Sequence, residues 1–279
     1  MTRFVLAAAA LTAASSLIAG SGPRIEPAKP VATLDEGYRD IYNLRFAEAH
    51  QTFKTWTAAH PADALAPASD AAAYLFAEFD RLHILQSEFF THDDDFKSRA
   101  KPSPDPAVKD AFLKKLDESQ RLADAALARN SNDADAKFAK ILALGLRSDY
   151  LALIEKRYVP SLRYMKDARS LAQDLLAKSP SFYDAYLAVG VENYMLGIKA
   201  APVRWILSMA GAQTDKQQGI QELKMTAEKG HYLQPFARLL LAVAALRDEN
   251  KTAARSLLAG LAQEFPQNQL YARELARLH

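Results

Sequence analysis

Three segments of the chain share a pattern: a small residue, an apolar residue four positions later and a proline twelve positions after the first. The copies are Ala49, Phe53 and Pro61; Ala168, Ala172 and Pro180; and Ala254, Leu258 and Pro266. A degenerate fourth copy has Ser119, Ala123 and Ser131. Residues four apart lie on one face of a helix, and proline disfavours helical backbone in the residue before it. We therefore expect each copy to be one helix that packs through its first two pattern residues.

The remaining apolar residues also recur at intervals of three and four. In 107–129, Phe112, Leu116 and Ala123 fall on one helical face, while Lys114 and Arg121 fall on the other. No segment shows the sustained alternation that is typical of a strand, so we predict an all-α fold of antiparallel neighbouring helices. The predicted helices are 34–44, 46–59, 68–90, 107–129, 134–156, 160–178, 181–199, 215–229, 232–248, 251–264 and 267–278.

The repeated pattern, preceded in its first copy by the segment 43–49, resembles the second helix of a tetratricopeptide repeat (TPR). The resemblance implies a TPR-like α-α superhelix, which is a solenoid of antiparallel helical hairpins with a period of about 34 residues. The pattern ends at 61, 131, 180 and 266, which are 70, 49 and 86 residues apart. We therefore expect lengthened helices around 145–160 and an insertion around 198–215.

Three further segments resemble a group of exported bacterial TPR proteins that have no assigned activity. They are Ser87-Glu88-Phe89-Phe90, Gly230-His231-Tyr232-Leu233 and Phe265-Pro266-Gln267-Asn268. The resemblance covers most of the chain after its N-terminal segment, and it supplies no functional residue that can be carried over.

The N-terminal segment has the composition of a secretory signal peptide. Arg3 is followed by an uncharged run from Phe4 to Ala19 and then by small residues. The run is shorter and less apolar than a membrane span, which needs roughly 20 apolar residues. We predict a signal peptide at 1–20, a flexible leader at 21–33 and a TPR-like domain at 34–279. We therefore expect the protein to be exported to the periplasm or the medium in soluble form. The alternative is that the N-terminal segment is kept as an uncleaved signal anchor.

Composition and motifs argue against several classes of function. The chain has no cysteine and a net charge of +2, which argues against thiolate catalysis, cysteine-ligated metals and electrostatic binding of nucleic acid. Nucleotide-binding glycine loops, the helical zinc-protease motif and the serine-hydrolase elbow are all missing from the sequence. We therefore expect a protein that is not an enzyme and that has no cofactor and no metal.

Two groups of residues suggest chemistry, but a simpler interpretation is favoured for each. The acidic segment His92-Asp93-Asp94-Asp95, after Glu88, has oxygen ligands for Ca²⁺ or Mg²⁺. The calcium-loop spacing fails, because Ser98 and Pro104 stand where glycine and glutamate are needed, so a solvated acidic loop is favoured.

A second group, Asp80, His83 and Ser87, falls on one face of the helix predicted over 68–90. Its outer members are two turns apart, which is too far for a hydrolytic triad. A surface histidine is therefore the favoured interpretation.

The first helices of a TPR-like solenoid line its concave face, where such proteins bind peptides. The repeat phase assigns five residues to a partner-binding groove on this face: Phe138, Leu142, Leu187, Val191 and Tyr194. Their apolar character suits an apolar helix or the protein's own inserted segment. Burial in the core is the alternative interpretation of the same residues.

A second apolar surface is expected in the segment 198–212. Trp205, Ile206 and Met209 are the residues assigned to contact with a membrane surface or a partner. The alternative is that the segment folds back onto the solenoid.

These observations together predict an exported, non-catalytic TPR-type binding module or scaffold of the bacterial cell envelope, with an unidentified protein or peptide partner. One alternative is a ligand-binding accessory subunit of an envelope transport system, for which a closed internal cavity is expected. A less favoured alternative is a hydrolase that uses the acidic segment 88–95. The sequence leaves the oligomeric state open.

Overall fold

The computed structural model describes residues 32–84, 101–199, 209, 211–212 and 214–278. These residues form eleven α-helices and no β-strand, which confirms the all-α prediction for the described part of the chain. The helices are α1 (Leu34–Tyr42), α2 (Phe46–Ala59), α3 (Leu65–Arg81), α4 (Pro106–Arg129), α5 (Ala134–Asp149), α6 (Tyr158–Lys178), α7 (Tyr186–Gly197), α8 (Lys216–Lys229), α9 (Gln234–Arg247), α10 (Lys251–Glu264) and α11 (Gln269–Arg277).

Several predicted features lie outside the described residues. They include the signal peptide, the leader up to residue 31 and the acidic segment 88–95. One predicted boundary is wrong, because the helix expected over 68–90 ends at Arg81. The lengthening expected around 145–160 is present, since a π-helical turn at Tyr150–Ile154 extends α5.

Polar residues define where most of these helices begin. Thr33 forms a capping box with Glu36 at the start of α1, and Asp133 accepts a hydrogen bond from the backbone N–H of Ala136 at the start of α5. Such caps satisfy N–H groups that have no partner within the helix. The other side-chain caps are Asp105, Asp215, Asn250 and Asn268.

Successive helices pack against one another from α1 to α11, and α3 also packs on α1 and α5. Only three to five residues separate most neighbours, so neighbours joined in this way must be antiparallel. These neighbours form the pairs α1–α2, α3–α4, α5–α6, α7–α8 and α9–α10. In four of the pairs, the first helix ends in the same manner. Two residues after α1, α3, the π turn and α9, a non-glycine residue has left-handed backbone: Leu44, His83, Lys156 and Glu249.

The repeated pattern marks equivalent positions in the second helix of each pair. Its small and apolar members are buried in α2, α4, α6 and α10. Each of these helices ends two residues before the third member of the pattern. The structure adds a fifth copy in α8, which has Gly219, a fully buried Leu223 and His231 at the same offsets.

Small residues allow the paired helices to come close at these positions. Gly37 of α1 faces the ring of Phe53, and a Cβ atom added to Gly37 would lie 2.3 Å from its Cε1 atom. In the pair α7–α8, a Cβ atom added to Gly219 would lie 2.5 Å from the backbone nitrogen of Tyr194 and 2.9 Å from the carbonyl oxygen of Gly190. The two backbones are therefore in direct contact.

The first and last helical pairs also contact each other. Tyr42 donates a hydrogen bond from its hydroxyl to the carbonyl oxygen of Tyr232 (2.7 Å). Its own carbonyl accepts one from Nδ2 of Asn268 (2.9 Å), and its ring lies 5.3 Å from that of Phe265. One cluster of buried apolar side chains consequently runs from Leu34 to Tyr271. The succession of helical pairs closes around a shared core.

Candidate binding groove

Three of the five residues predicted to line a concave groove are buried inside the domain, and two are half-buried. Phe138 is 1% exposed, and Leu142 and Tyr194 are also buried. Leu187 and Val191 are half-buried. These side chains pack against other residues of the same chain. Their role in binding a partner stays a prediction, and at Phe138, Leu142 and Tyr194 it would require the core to open.

The residues predicted to contact a membrane or partner are described only in part. Met209 has 71% of its surface exposed. Trp205 and Ile206 lie outside the described residues. In the group Asp80, His83 and Ser87, the third residue is also outside, and His83 is an exposed turn residue beyond the end of α3.

An open groove lies between α4, α5 and α6. Its volume is about 650 Å³, which falls in the range of protein binding sites. Helix α4 provides one wall, α6 the other, and α5 the residues between them. The lining residues are Asp117, Gln120, Lys140, Leu144, Arg147, Tyr164, Asp167, Ser170, Leu171 and Asp174.

Both cations of this groove are already paired. Arg147 donates a hydrogen bond to Asp117 (2.8 Å) and lies 5.8 Å from the centre of the Tyr164 ring. Lys140 donates a hydrogen bond to Asp124 (2.6 Å) at the edge of the groove. Ion pairs of this kind at a surface contribute little to stability, but they fix where the charges stand.

The two carboxylates on the α6 wall differ in their surroundings. Asp174 accepts hydrogen bonds from Lys137 and Lys178, which hold its pKa below the usual range. Asp167, by contrast, is exposed and makes no ion pair or hydrogen bond with any described residue. It lies between half-buried Tyr164 and Leu171 on the same wall. The groove therefore combines apolar surface with a negative charge that no described residue neutralises.

A smaller cavity of about 510 Å³ lies at the start of α8. Asn193 lines it, donates from Nδ2 to Glu222 (2.7 Å) and has a buried Oδ1 atom without a partner among the described residues. The N–H groups at the start of α8 are occupied by the cap Asp215. The cavity adjoins residues outside the described ranges, so we assign no ligand to it.

A histidine and a buried carboxylate meet on the face formed by α2, α3 and α4. Nδ1 of His50 lies 2.5 Å from Asp70, and Nζ of Lys115 approaches the other oxygen of Asp70 at 3.3 Å. Burial, followed by the charge of Asp70, raises the pKa of nearby Tyr74. A carboxylate that orients a histidine is one part of a hydrolytic site. Because Asp70 also binds Lys115, we interpret this group as a connection between three helices.

Within the described ranges, no three side chains of the histidine, cysteine, aspartate or glutamate type come together as metal ligands would. In the same part of the chain, no helix combines the length and the apolar character needed to span a bilayer.

The groove between α4, α5 and α6 was missed by sequence reasoning, which followed the inward faces of the helices. A signal for its α6 wall does exist. Tyr164, Asp167, Leu171 and Asp174 follow one another at helical spacing and mix charged with apolar residues. Across the groove, Asp117 and Gln120 are three residues apart on α4.

No protein-family model matches the chain, and no curated protein matches it in sequence.

Proposed function

We propose that this chain is an exported, non-catalytic helical-repeat protein of the TPR type, which binds a protein or peptide partner in the bacterial cell envelope. Five helical pairs support the repeat assignment. Their second helices carry buried small and apolar residues at equivalent offsets and end at equivalent positions. The left-handed residues that follow four of the first helices add to this support.

The observation that carries the binding proposal is the open groove between α4, α5 and α6. An inner groove would have to form at residues that are packed in the core, whereas this outer groove needs no rearrangement. Its length along two helices suits a segment of another polypeptide, and its open side favours that ligand over an enclosed small molecule. The accessory-subunit alternative predicts a closed cavity, which this open groove does not resemble.

The charges of the groove define the partner's chemistry. Lys140 and Arg147 are paired, whereas Asp167 has no partner among the described residues. An incoming segment therefore gains most by placing a lysine or arginine beside Asp167. Leu171 and Tyr164, next to Asp167, favour an apolar residue beside that cation. We infer a partner segment that combines a basic and an apolar side chain.

Export is part of the same proposal and rests on the composition of residues 1–20. It is tested by expressing the whole chain in a bacterium and measuring the mass of the protein in the periplasm and in the medium. Export with cleavage predicts a protein that begins near residue 21. Recovery of the full-length chain in the cytoplasm would contradict it.

Peptide binding is tested by fluorescence anisotropy with two labelled peptides of equal length. One contains lysines spaced between leucines, and in the other glutamate replaces each lysine. We expect the lysine peptide to bind and the glutamate peptide to bind about fivefold more weakly, because lysine pairs with Asp167 and glutamate does not.

The matched variants are Asp167→Asn in the groove and Asp110→Asn on the exposed surface of α4 outside it. The first should weaken binding of the lysine peptide about two- to fivefold, since an exposed ion pair contributes up to about 1 kcal/mol. The second should leave it unchanged. Equal binding of both peptides, or equal loss in both variants, would contradict the proposed site.

A further inference from the structure

The inner face of α5 changes character along its length. Phe138, Leu142, Gly145 and Asp149 are four, three and four residues apart, so they share this face of the helix. Phe138 and Leu142 are buried, whereas Gly145 and Asp149 are only half-buried. The inner face is therefore closed where α5 begins and accessible to solvent where it ends.

The helical pairs on either side have large apolar residues at the positions equivalent to Gly145 and Asp149. The repeat spacings of 70 and 49 residues define these positions. They are Leu75 and Phe79 in α3, and Tyr194 and Ile198 at the end of α7. The first three of these side chains are buried. At the end of α5, two core side chains are thus replaced by a glycine and a carboxylate.

Gly145 leaves open space on the inner face. A Cβ atom added to Gly145 would meet no atom within 4 Å, although Leu75 at the equivalent position is 1% exposed. Asp149 adjoins this space, because four residues at the helical rise of 1.5 Å place it about 6 Å further along α5. Leu142, about one turn before Gly145, provides apolar surface on the other side of the space.

Asp149 is both accessible to solvent and poorly hydrated. It is half-buried, but burial alone raises the pKa of its carboxyl group from 3.8 to about 7. A carboxyl group on a convex surface stays surrounded by water and keeps a nearly ordinary pKa. The combination therefore indicates that Asp149 lies in a concave part of the domain. No charged residue contributes to the shift, so no cation of the described chain neutralises this carboxylate.

The backbone that follows Asp149 is unusual as well. The π turn Tyr150–Ile154 begins at the next residue, and the backbone N–H of Glu155 closes it with a hydrogen bond to the carbonyl oxygen of Tyr150 (3.1 Å). Such π turns are rare and occur frequently at functional sites. Open space, a carboxylate without a counter-ion and a π turn therefore occur together at the end of α5.

We propose that this end of the inner face binds a primary alkylammonium ion. The ammonium group donates hydrogen bonds to the carboxylate of Asp149. The alkyl chain covers Gly145 and extends toward Leu142, which takes about five carbons for a distance of about 6 Å. A single carboxylate beside apolar surface suits an organic cation, because a metal ion requires several ligands.

The proposed site is separate from the groove between α4, α5 and α6. The groove residues Lys140, Leu144 and Arg147 lie on the opposite face of α5 from Gly145 and Asp149. The proposal therefore does not depend on the peptide partner.

The test titrates the full chain with hexylammonium and with 1-hexanol, each followed by ligand-observed NMR. The titrations are made at about pH 8, where Asp149 is ionised. We expect hexylammonium to bind about tenfold more tightly than 1-hexanol, because only the ammonium group forms charge-assisted hydrogen bonds with Asp149. Equal affinities, or no binding of hexylammonium, would overturn the proposal.

A substitution of the carboxylate identifies the residue that binds the ammonium group. Asp149→Asn should weaken hexylammonium binding about tenfold. Since neutralising a poorly hydrated carboxylate stabilises the fold at this pH, unfolding cannot account for the loss. Asp110→Asn, at an exposed position of α4, should leave binding unchanged. Equal affinity of the natural chain and Asp149→Asn would refute the assignment.

A second pair of variants tests the open space. Gly145→Leu places there the residue that α3 has at the equivalent position, and it should weaken binding of hexylammonium at least tenfold by excluding the alkyl chain. Gly260→Leu is the matched control, because an added Cβ atom at Gly260 would also meet no atom within 4 Å. It should leave binding unchanged. Equal effects of the two leucine substitutions would contradict the site, and circular dichroism checks that both variants remain folded.

Discussion

A substitution of Gly219 tests the close approach of α7 and α8. An alanine Cβ atom at this position would lie 2.5 Å from the nitrogen of Tyr194 and 2.9 Å from the oxygen of Gly190. Both atoms belong to the backbone, so no side chain can turn away and the two helices must separate. Overpacking costs about 1 to 3 kcal/mol, and two backbone clashes put Gly219→Ala near the upper end.

The gain in helix propensity from glycine to alanine offsets up to about 1 kcal/mol of this cost. A net loss of about 2 kcal/mol remains, which corresponds to a fall in Tm of about 4 to 8 °C for a domain of this size. The assay is thermal unfolding followed by far-ultraviolet circular dichroism.

Gly260→Ala provides the matched control. Gly260 is also inside a helix, but an added Cβ atom there would meet no atom within 4 Å. This variant should gain about 0.5 to 1 kcal/mol, since only helix propensity changes. If Gly219→Ala were as stable as Gly260→Ala, the two helices would not be in backbone contact, and the equivalence of the five pairs would lose its basis.

Two further substitutions test single carboxyl groups. Buried Asp184 accepts hydrogen bonds from the backbone N–H groups of residues 231–233 and so fixes the turn that precedes α9. Asp184→Asn should therefore cost about 2 to 3 kcal/mol in urea unfolding, and a loss below about 0.5 kcal/mol would count against this role. Burial raises the pKa of Asp149 from 3.8 to about 7, so the folded state keeps a proton that the unfolded chain loses. The resulting stability is present at low pH and is lost as the pH rises through about 7. Asp149→Asn should thus raise Tm relative to the natural chain more at about pH 8 than at about pH 4, and a pH-independent difference would contradict it.

Much of the fold could be predicted because helix periodicity and helix ends are local properties. The helix predicted over 46–59 coincides with α2, and the one predicted over 107–129 differs from α4 by one residue. The fifth copy was missed because Gly219 and His231 replace the alanine and proline of the pattern. Even without this copy, the helices predicted over 181–199, 215–229, 232–248 and 251–264 correspond to α7, α8, α9 and α10.

The candidate site was harder to predict because it depends on contacts between distant parts of the chain. The hydrogen bond from Tyr42 to Tyr232 joins residues 190 positions apart. No local pattern reveals that the first pair meets the last, and without this contact the inward faces are expected to form an open groove. Because the first and last pairs do meet, Phe138 and Leu142 are core residues. Open surface remains on the outer side of α4 and α6.

The central claim is that the row of helical pairs closes on itself, and a distance between spin labels tests it directly. The chain has no cysteine, so labels can be attached through Arg39→Cys in α1 and Gln267→Cys after α10, both of which are exposed positions. The backbone N–H of Gln267 donates to Asn43 (3.2 Å), one turn along from Arg39.

Double electron–electron resonance should give one narrow distance distribution below about 20 Å, as for labels on neighbouring helices. Singly labelled proteins control for contacts between molecules. In an open solenoid, five pairs stacked at about 10 Å intervals would hold the labels roughly 40 Å apart, and a distribution centred there would contradict the closed arrangement.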